Sequence, residues 1–161
     1  MTSIIGAHHT SFTVTDLDKS VAFFRDLLHL ELVYTREIRD DYFGRIVGFP
    51  GCTVKAALLR IPNSGHHVEL FEYLSPRGQP HRPRPCDPGS SHISLLVDDL
   101  PALYKQLHSK GVTFVSEPVQ VAAGPNRSPV VTLLSEVAQR RSIVHLRVQK
   151  GEETLEWRRA T

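Results

Sequence analysis

Residues 8–33, HHTSFTVTDLDKSVAFFRDLLHLELV, hold the pattern that decides the fold. The stretch opens with alternation. Phe12 and Val14 fall on one face of an extended segment, and His9, Ser11 and Thr13 fall on the other, because strand side chains alternate. The period then changes: Leu17, Val21, Phe24 and Leu28 recur at helical spacing, with Thr15 or Asp16 where an N-cap belongs. A strand therefore feeds a helix. The same opening returns later in the chain. His9 is followed at +5, +7 and +8 by Val14, Asp16 and Leu17, and His92 is followed at the same intervals by Val97, Asp99 and Leu100, an offset of 83 residues. After the first helix, residues 30–36, 43–49, 53–61 and 67–73 read as strands. In the second half, residues 92–97 read as a strand. Asp98 or Asp99 caps a helix running to about Lys110, Gly111 ends it, and short strands are expected near 112–115, 119–122, 129–134 and 142–148.

A unit that recurs in this way indicates an internal repeat. The expected fold is α+β, with duplicated βαβββ modules forming a curled mixed sheet around a shared cavity. Residues 1–75 make the first module, 76–90 a Pro/Arg-rich joint, 91–148 the second module and 149–161 a peripheral tail. The joint is set off by composition: residues 74–90 hold five Pro, two Gly and three Arg, which fits neither a helix nor a central strand.

Composition narrows the function. The 161 residues are 40% hydrophobic and 22% charged, which suits a globular chain and excludes a disordered, coiled-coil or collagen-like one. Nineteen Lys and Arg against seventeen Asp and Glu leave +2, too little to indicate nucleic acid as a partner. No run approaches the roughly 18 apolar residues of a membrane span, and Met1–Gly6 shows no secretory signal. Cys52 and Cys86 form no CxxC, so both read as plain thiols and a reducing cytoplasm is the expected location. The nine His residues are the unusual feature. Imidazoles are ligands and proton carriers near neutral pH.

Alternation sorts these residues. If Phe12 and Val14 pack on the first helix, His9 faces the cavity. If Ile93, Leu95 and Val97 pack on the second, then His92, Ser94 and Leu96 do. In 67–73, His67, Glu69 and Phe71 share one face, and in 142–148, His145 and Arg147 lie opposite Val144, Leu146 and Val148. Four strands thus each offer one ligand-type residue: His9, Glu69, His92 and His145. Imidazole and carboxylate suit Zn, Ni, Fe(II), Co or Mn better than Ca or Mg. Glu72 is expected on the outer face, and His8, His66 and His67 behind the ligands or exposed.

Three segments carry a resemblance. Residues 8–33 resemble the opening signature of the vicinal oxygen chelate superfamily, which includes glyoxalase I, methylmalonyl-CoA epimerase, extradiol dioxygenases, fosfomycin resistance enzymes and bleomycin-binding proteins. VELFEYLSP (68–76) and SSHISLLVDDL (90–100) resemble its second and third signatures. The resemblance implies a divalent transition metal held by His9, Glu69 and His92. The fourth ligand is normally a Glu in a closing DPDG-x-x-IEL motif. Here 130–148 read VVTLLSEVAQRRSIVHLRV, with His145 in place of that Glu. His145 as ligand, water as ligand, or an inactive site all remain open. His29 also stands where the family has Gly, so that turn must accept a left-handed non-Gly residue or change its form.

The resemblance further implies a glyoxalase-like lyase or isomerase acting on a small carbonyl substrate. Lewis-acid stabilisation of an enolate would lower the barrier, and Glu69 would move the proton. The alternative is a metal-free small-molecule (antibiotic) binding protein, with Phe71, Tyr73, Tyr42 and Phe43 lining an aromatic cleft. An extradiol dioxygenase is disfavoured, because its carboxylate would have to come from the position of His145. Arg127, in Gly124-Pro125-Asn126-Arg127, is a candidate substrate contact, as are Phe71 and Tyr73, and the resemblance implies a homodimer.

Overall fold

The computed structural model describes residues 2–80, 86–90, 92–114, 117–119, 130–135, 144–149 and 154–155. The chain divides into two compact units, Met1–Pro80 and His81–Thr161.

In the first unit the order is β1 (His9–Thr13), α1 (Leu17–Ala22) continued by a π-helical turn over Phe23–Leu27, β2 (Glu31–Ile38), α2 (Asp41–Val47), β3 (Thr53–Arg60) and β4 (His67–Ser75). The four strands line up as β1-β4-β3-β2, with β1 parallel to β4 and the other pairs antiparallel. Because β1 and β2 are both free edges, this mixed, curled sheet stays open.

Side-chain chemistry starts α1 where it does. The Asp16 carboxylate accepts from the Lys19 N–H at 3.0 Å, and the Glu72 carboxylate, from β4, accepts from the Leu17 N–H at 3.0 Å. Two of the first helical donors, which have no partner inside a helix, are thereby satisfied. The Lys19 N–H also holds the Asp16 carboxyl below its ordinary pKa. Glu72 thus lies on the helix face of the sheet, as its alternation with Glu69 requires. α1 packs on β3 and β4. Leu17, Val21 and Phe24 are buried along with Ala57, Leu59, Val68 and Leu70, one face of the sheet. The helix ends with Leu30 N–H donating to the Phe24 carbonyl at 2.9 Å. His29 takes the left-handed conformation itself, with φ at 58°. His is among the non-Gly residues that tolerate that region best.

The strand expected at 43–49 is instead part of α2. Its aromatic and β-branched composition suggested a strand, but Phe43 and Val47 sit one turn apart and pack with Ile38, Cys52, Val54 and Ala56. Gly48, with φ at 75°, caps the helix. Gly44 lies so close to the following loop that a Cβ there would sit 2.8 Å from the Phe49 carbonyl oxygen. α2 therefore covers one end of the sheet face opposite α1.

The second unit contains β5 (Ile93–Leu96), α3 (Leu100–Ser109), β6 (Pro118–Val119), β7 (Val130–Ser135), β8 (Val144–Gln149) and β9 (Thr154–Leu155), with strand order β5-β8-β7-β9-β6. Asp99 caps α3 by accepting from the Ala102 N–H at 3.0 Å, and Gly111 closes it with φ at 83°. Ile93 and Leu95 are buried together with Leu100 and Leu107, whereas His92 and Leu96 are exposed. The strand expected at 112–115 does not form over Val112–Phe114. There the Val112 N–H turns back to the Leu107 carbonyl at 3.0 Å, and Phe114 packs on Tyr104 with ring centroids 4.7 Å apart, so the segment finishes the helix. Within the stretch 149–161, Thr154 and Leu155 pair with β6, and Leu155 also pairs with β7. Among the described residues, no helix is long and apolar enough to cross a membrane.

Candidate active site

Pairing across the first unit's sheet places four residues in one row: Tyr34 of β2 opposite Leu58 of β3, Leu58 opposite Glu69 of β4, and Glu69 opposite Ser11 of β1. Residues in such a row point to the same face, here the one opposite α1. Tyr34 reaches it through a bulge. The register of β2 on β3 shifts between Leu32 and Tyr34, leaving Val33 as the extra residue. Without the bulge, Tyr34 would pair with Ala57, whose neighbours on the helix side are buried. With it, Tyr34 and Arg36 share the face of Glu69, a re-aiming that bulges commonly produce.

Glu69 is the centre of the cluster. The Ser11 hydroxyl donates to its Oε2 at 2.7 Å, and His9 Nε2 stands 3.2 Å from the same oxygen. The Tyr34 phenol, in the same row, feels the negative charge of this carboxylate. The Glu69 side chain is only 14% exposed and that of His9 39%. A carboxylate this sheltered is costly unless bonded, and Ser11 and His9 supply partners. Burial, followed by the negative charge of Glu69, raises the Tyr34 phenol above its usual value. Tyr34 therefore stays protonated and acts as a donor, not a base.

The imidazoles gather at the end of β1 and β4. His8 Nδ1 lies 2.7 Å from His9 Nδ1, and the His8 ring stacks on His67 at 5.3 Å. On the other side of the strand, Thr10 Oγ1 meets His66 Nε2 at 2.8 Å. The short His8–His9 contact requires one Nδ1 to carry the proton. Were His9 Nε2 to bind a metal, its Nδ1–H could donate to His8, the kind of partner a ligating imidazole needs to fix its tautomer.

The donor pair fits a transition metal. Bonds of about 2.0–2.2 Å place two neighbouring ligand atoms roughly 3.0–3.4 Å apart, depending on the angle at the ion. His9 Nε2 and Glu69 Oε2, at 3.2 Å, are already at that spacing. Among the described residues, no third His, Cys, Asp or Glu joins them.

The other expected residues are placed as follows. Phe71 and Tyr73 lie further along the same face, half-buried under α2. Phe71 packs on Phe43 at 5.3 Å, and Tyr73 meets Phe49 at 6.3 Å. Phe43 is a buried core residue, while Tyr42 is exposed and accepts from Arg36 Nη2 at 2.9 Å. His92 is exposed immediately before β5. His145 lies in β8, paired with Leu134 of β7, and its side chain is outside the described residues. Arg127 is outside them too. Tyr34 and Arg36 were not anticipated. The signal was the in-phase spacing of Tyr34, Arg36 and Ile38, but alternation alone could not assign their face across an unseen bulge.

Comparison with known proteins identifies the family and the fold. The glyoxalase/bleomycin resistance protein/dioxygenase superfamily model matches residues 6–128. A 2-epi-5-epi-valiolone epimerase of Actinomyces sp is 32% identical over 125 residues, which cover 75% of this chain and 68% of that protein. Among solved structures, a glyoxalase family protein from Bacillus cereus has a TM-score of 0.76 at 20% identity, covering 93% of this chain and 97% of that one. A fosfomycin resistance protein from Listeria monocytogenes has a TM-score of 0.58 at 16% identity, covering 92% and 93%. These two structural likenesses concern the fold.

Proposed function

Because this chain belongs to the glyoxalase/bleomycin resistance protein/dioxygenase superfamily, we propose that it is a metal-dependent isomerase of the glyoxalase type. In this reading it epimerises a small substrate at a carbon next to a carbonyl. The observation that carries the reading is the Glu69 carboxylate, held by Ser11 at 2.7 Å with His9 Nε2 at 3.2 Å. The epimerase relative supports the reaction class.

His9 and Glu69 would hold the ion from the first unit, with His92 and His145 as the candidates from the second. A bound divalent transition metal would supply Lewis-acid polarisation of the substrate carbonyl. The remaining work falls to the chain. Glu69 takes the proton from the carbon beside the carbonyl, a general-base role that typically contributes about 10²–10⁴-fold. Loss of the proton to Glu69 leaves that carbon planar; a proton from water on the opposite face inverts it, and Glu69 then gives its own proton to solvent. Ser11 keeps the carboxylate aimed, so little reorganisation is needed as charge moves. A polyhydroxylated cyclic ketone, the kind of compound named for the Actinomyces relative, is the first substrate class to try. A second copy of this chain is the expected partner.

The test is hydrogen exchange. Untagged protein is loaded with Zn, Ni, Co, Mn or Fe(II) and given such ketones in deuterium oxide, and label beside the carbonyl is followed by NMR. Label that depends on metal and disappears in Glu69→Gln is the expected result. A protein that takes up no metal on titration would contradict the reading and favour a small-molecule binding protein of the same fold.

A further inference from the structure

We propose that Arg36 and Tyr42 form an anion-binding subsite beside Glu69, so that the substrate carries a phosphate or carboxylate group several bonds from its reacting carbon. The link to substrate rests on the isomerase reading above; the anion site itself does not.

The Val33 bulge puts Arg36 on the face of Glu69, one in-phase position along β2 from Tyr34. The guanidinium is held from two sides. Its Nη2 donates to the Tyr42 hydroxyl at 2.9 Å, and its Cζ lies 5.7 Å from the centre of the Tyr34 ring. An aromatic face at that distance attracts a cation and restrains it. Tyr34 stands in the same row as Glu69, so its ring lies on the face between the cation and the carboxylate.

The charge of Arg36 is not neutralised by contact. Lys19 pairs with Asp16, Arg25 with Asp26, Arg39 with Glu37 and Arg60 with Glu31. Among the described residues no carboxylate is within ion-pair distance of Arg36, and Asp40 acts on it only from further off. A guanidinium presents five N–H donors in a planar fork that matches phosphate and carboxylate oxygens. Here one of those nitrogens is committed to Tyr42, and among the described residues the rest have no hydrogen-bond partner. An ammonium would not hold the same geometry. Arg60, at the opposite end of the face, is already bonded to Glu31 at 3.1 Å and offers no equivalent site.

The probes are inorganic phosphate and acetate, titrated at low ionic strength into wild-type protein, Arg36→Gln, Tyr42→Phe and, as a control, Arg45→Gln on the exposed side of α2. At least one anion should bind, with affinity falling about 10- to 100-fold in Arg36→Gln, as expected when a charged hydrogen-bond partner is removed. Arg45→Gln should change it little. Which anion binds more tightly tells a phosphate ester from a carboxylate. Equal binding by wild type and Arg36→Gln, or no binding of either anion, would overturn the proposal. Phosphate binding that needs Arg36, in a protein that exchanges hydrogen with no ketone, would keep the subsite and overturn the isomerase reading.

Discussion

The two units open alike and end differently. In each, a His stands at the start of the first strand or just before it, and an Asp caps the helix that follows: His9 opens β1 and Asp16 caps α1, while His92 precedes β5 and Asp99 caps α3. In each, the first strand runs parallel to the last strand of its module. In the first unit that pairing sets Ser11 opposite Glu69, and in the second it sets Ser94 opposite Arg147. The position that holds the sheltered carboxylate in one half therefore holds a cation in the other. Among the described residues, the acid–imidazole cluster lies in the first half.

The contrast can be broken most directly at Glu69. Glu69→Gln should reduce solvent hydrogen exchange by about 10²–10⁴-fold or more, whereas Arg147→Gln should leave most of it; steady-state exchange rates at one fixed metal concentration check both. Comparable losses in the two variants would erase the asymmetry. Next in size are the cores, which should respond alike. Leu59→Ala and Leu107→Ala remove fully buried side chains. Each should destabilise by about 2–5 kcal/mol in chemical denaturation.

Tyr34→Phe sharpens the comparison. Tyr34 shares the row of the sheltered Glu69 carboxylate, so its hydroxyl should matter for metal. A 10- to 100-fold weaker affinity is expected, roughly the effect of removing a group that orients a ligand, with the melting temperature nearly unchanged. The caps differ less. Asp16→Ala and Asp99→Ala should each cost about 1 kcal/mol. Asp16 titrates below its ordinary value when folded. Its contribution is therefore present above the usual carboxylate pKa and lost as pH falls through the folded value, so the difference between wild type and Asp16→Ala should shrink in acid. The smallest effect is at the helix ends. His29→Gly should gain no more than about 1 kcal/mol, and Gly111→Ala should lose a similar amount, because both positions are left-handed.

The sequence carried these features unevenly. Asp16, Asp99, Gly111 and the helical spacing of Leu17, Val21 and Phe24 are local signals, and the structure uses them locally. The meeting of His9 with Glu69 could be anticipated from alternation, because β1 and β4 carry no bulge where they pair. Tyr34 and Arg36 could not be assigned in the same way. One extra residue, Val33, reverses the face of everything after it in β2, and nothing in the Val-Tyr-Thr-Arg composition announces a bulge. α2 was misread for a related reason. Phe43, Ile46 and Val47 have strand-like composition, which outweighed the local Gly48 cap, and the close approach of Gly44 to the loop at Phe49 shows only once the segment is folded.

The central claim is that the first unit's His9–Glu69 pair is the core of a metal site. Its most direct test is competition titration of metal against a chromophoric chelator, using wild type, His9→Ala, Glu69→Gln and His145→Ala with folding checked by circular dichroism. Stoichiometric uptake by wild type that is lost in His9→Ala and Glu69→Gln is the predicted result. Uptake that survives both substitutions would contradict the account.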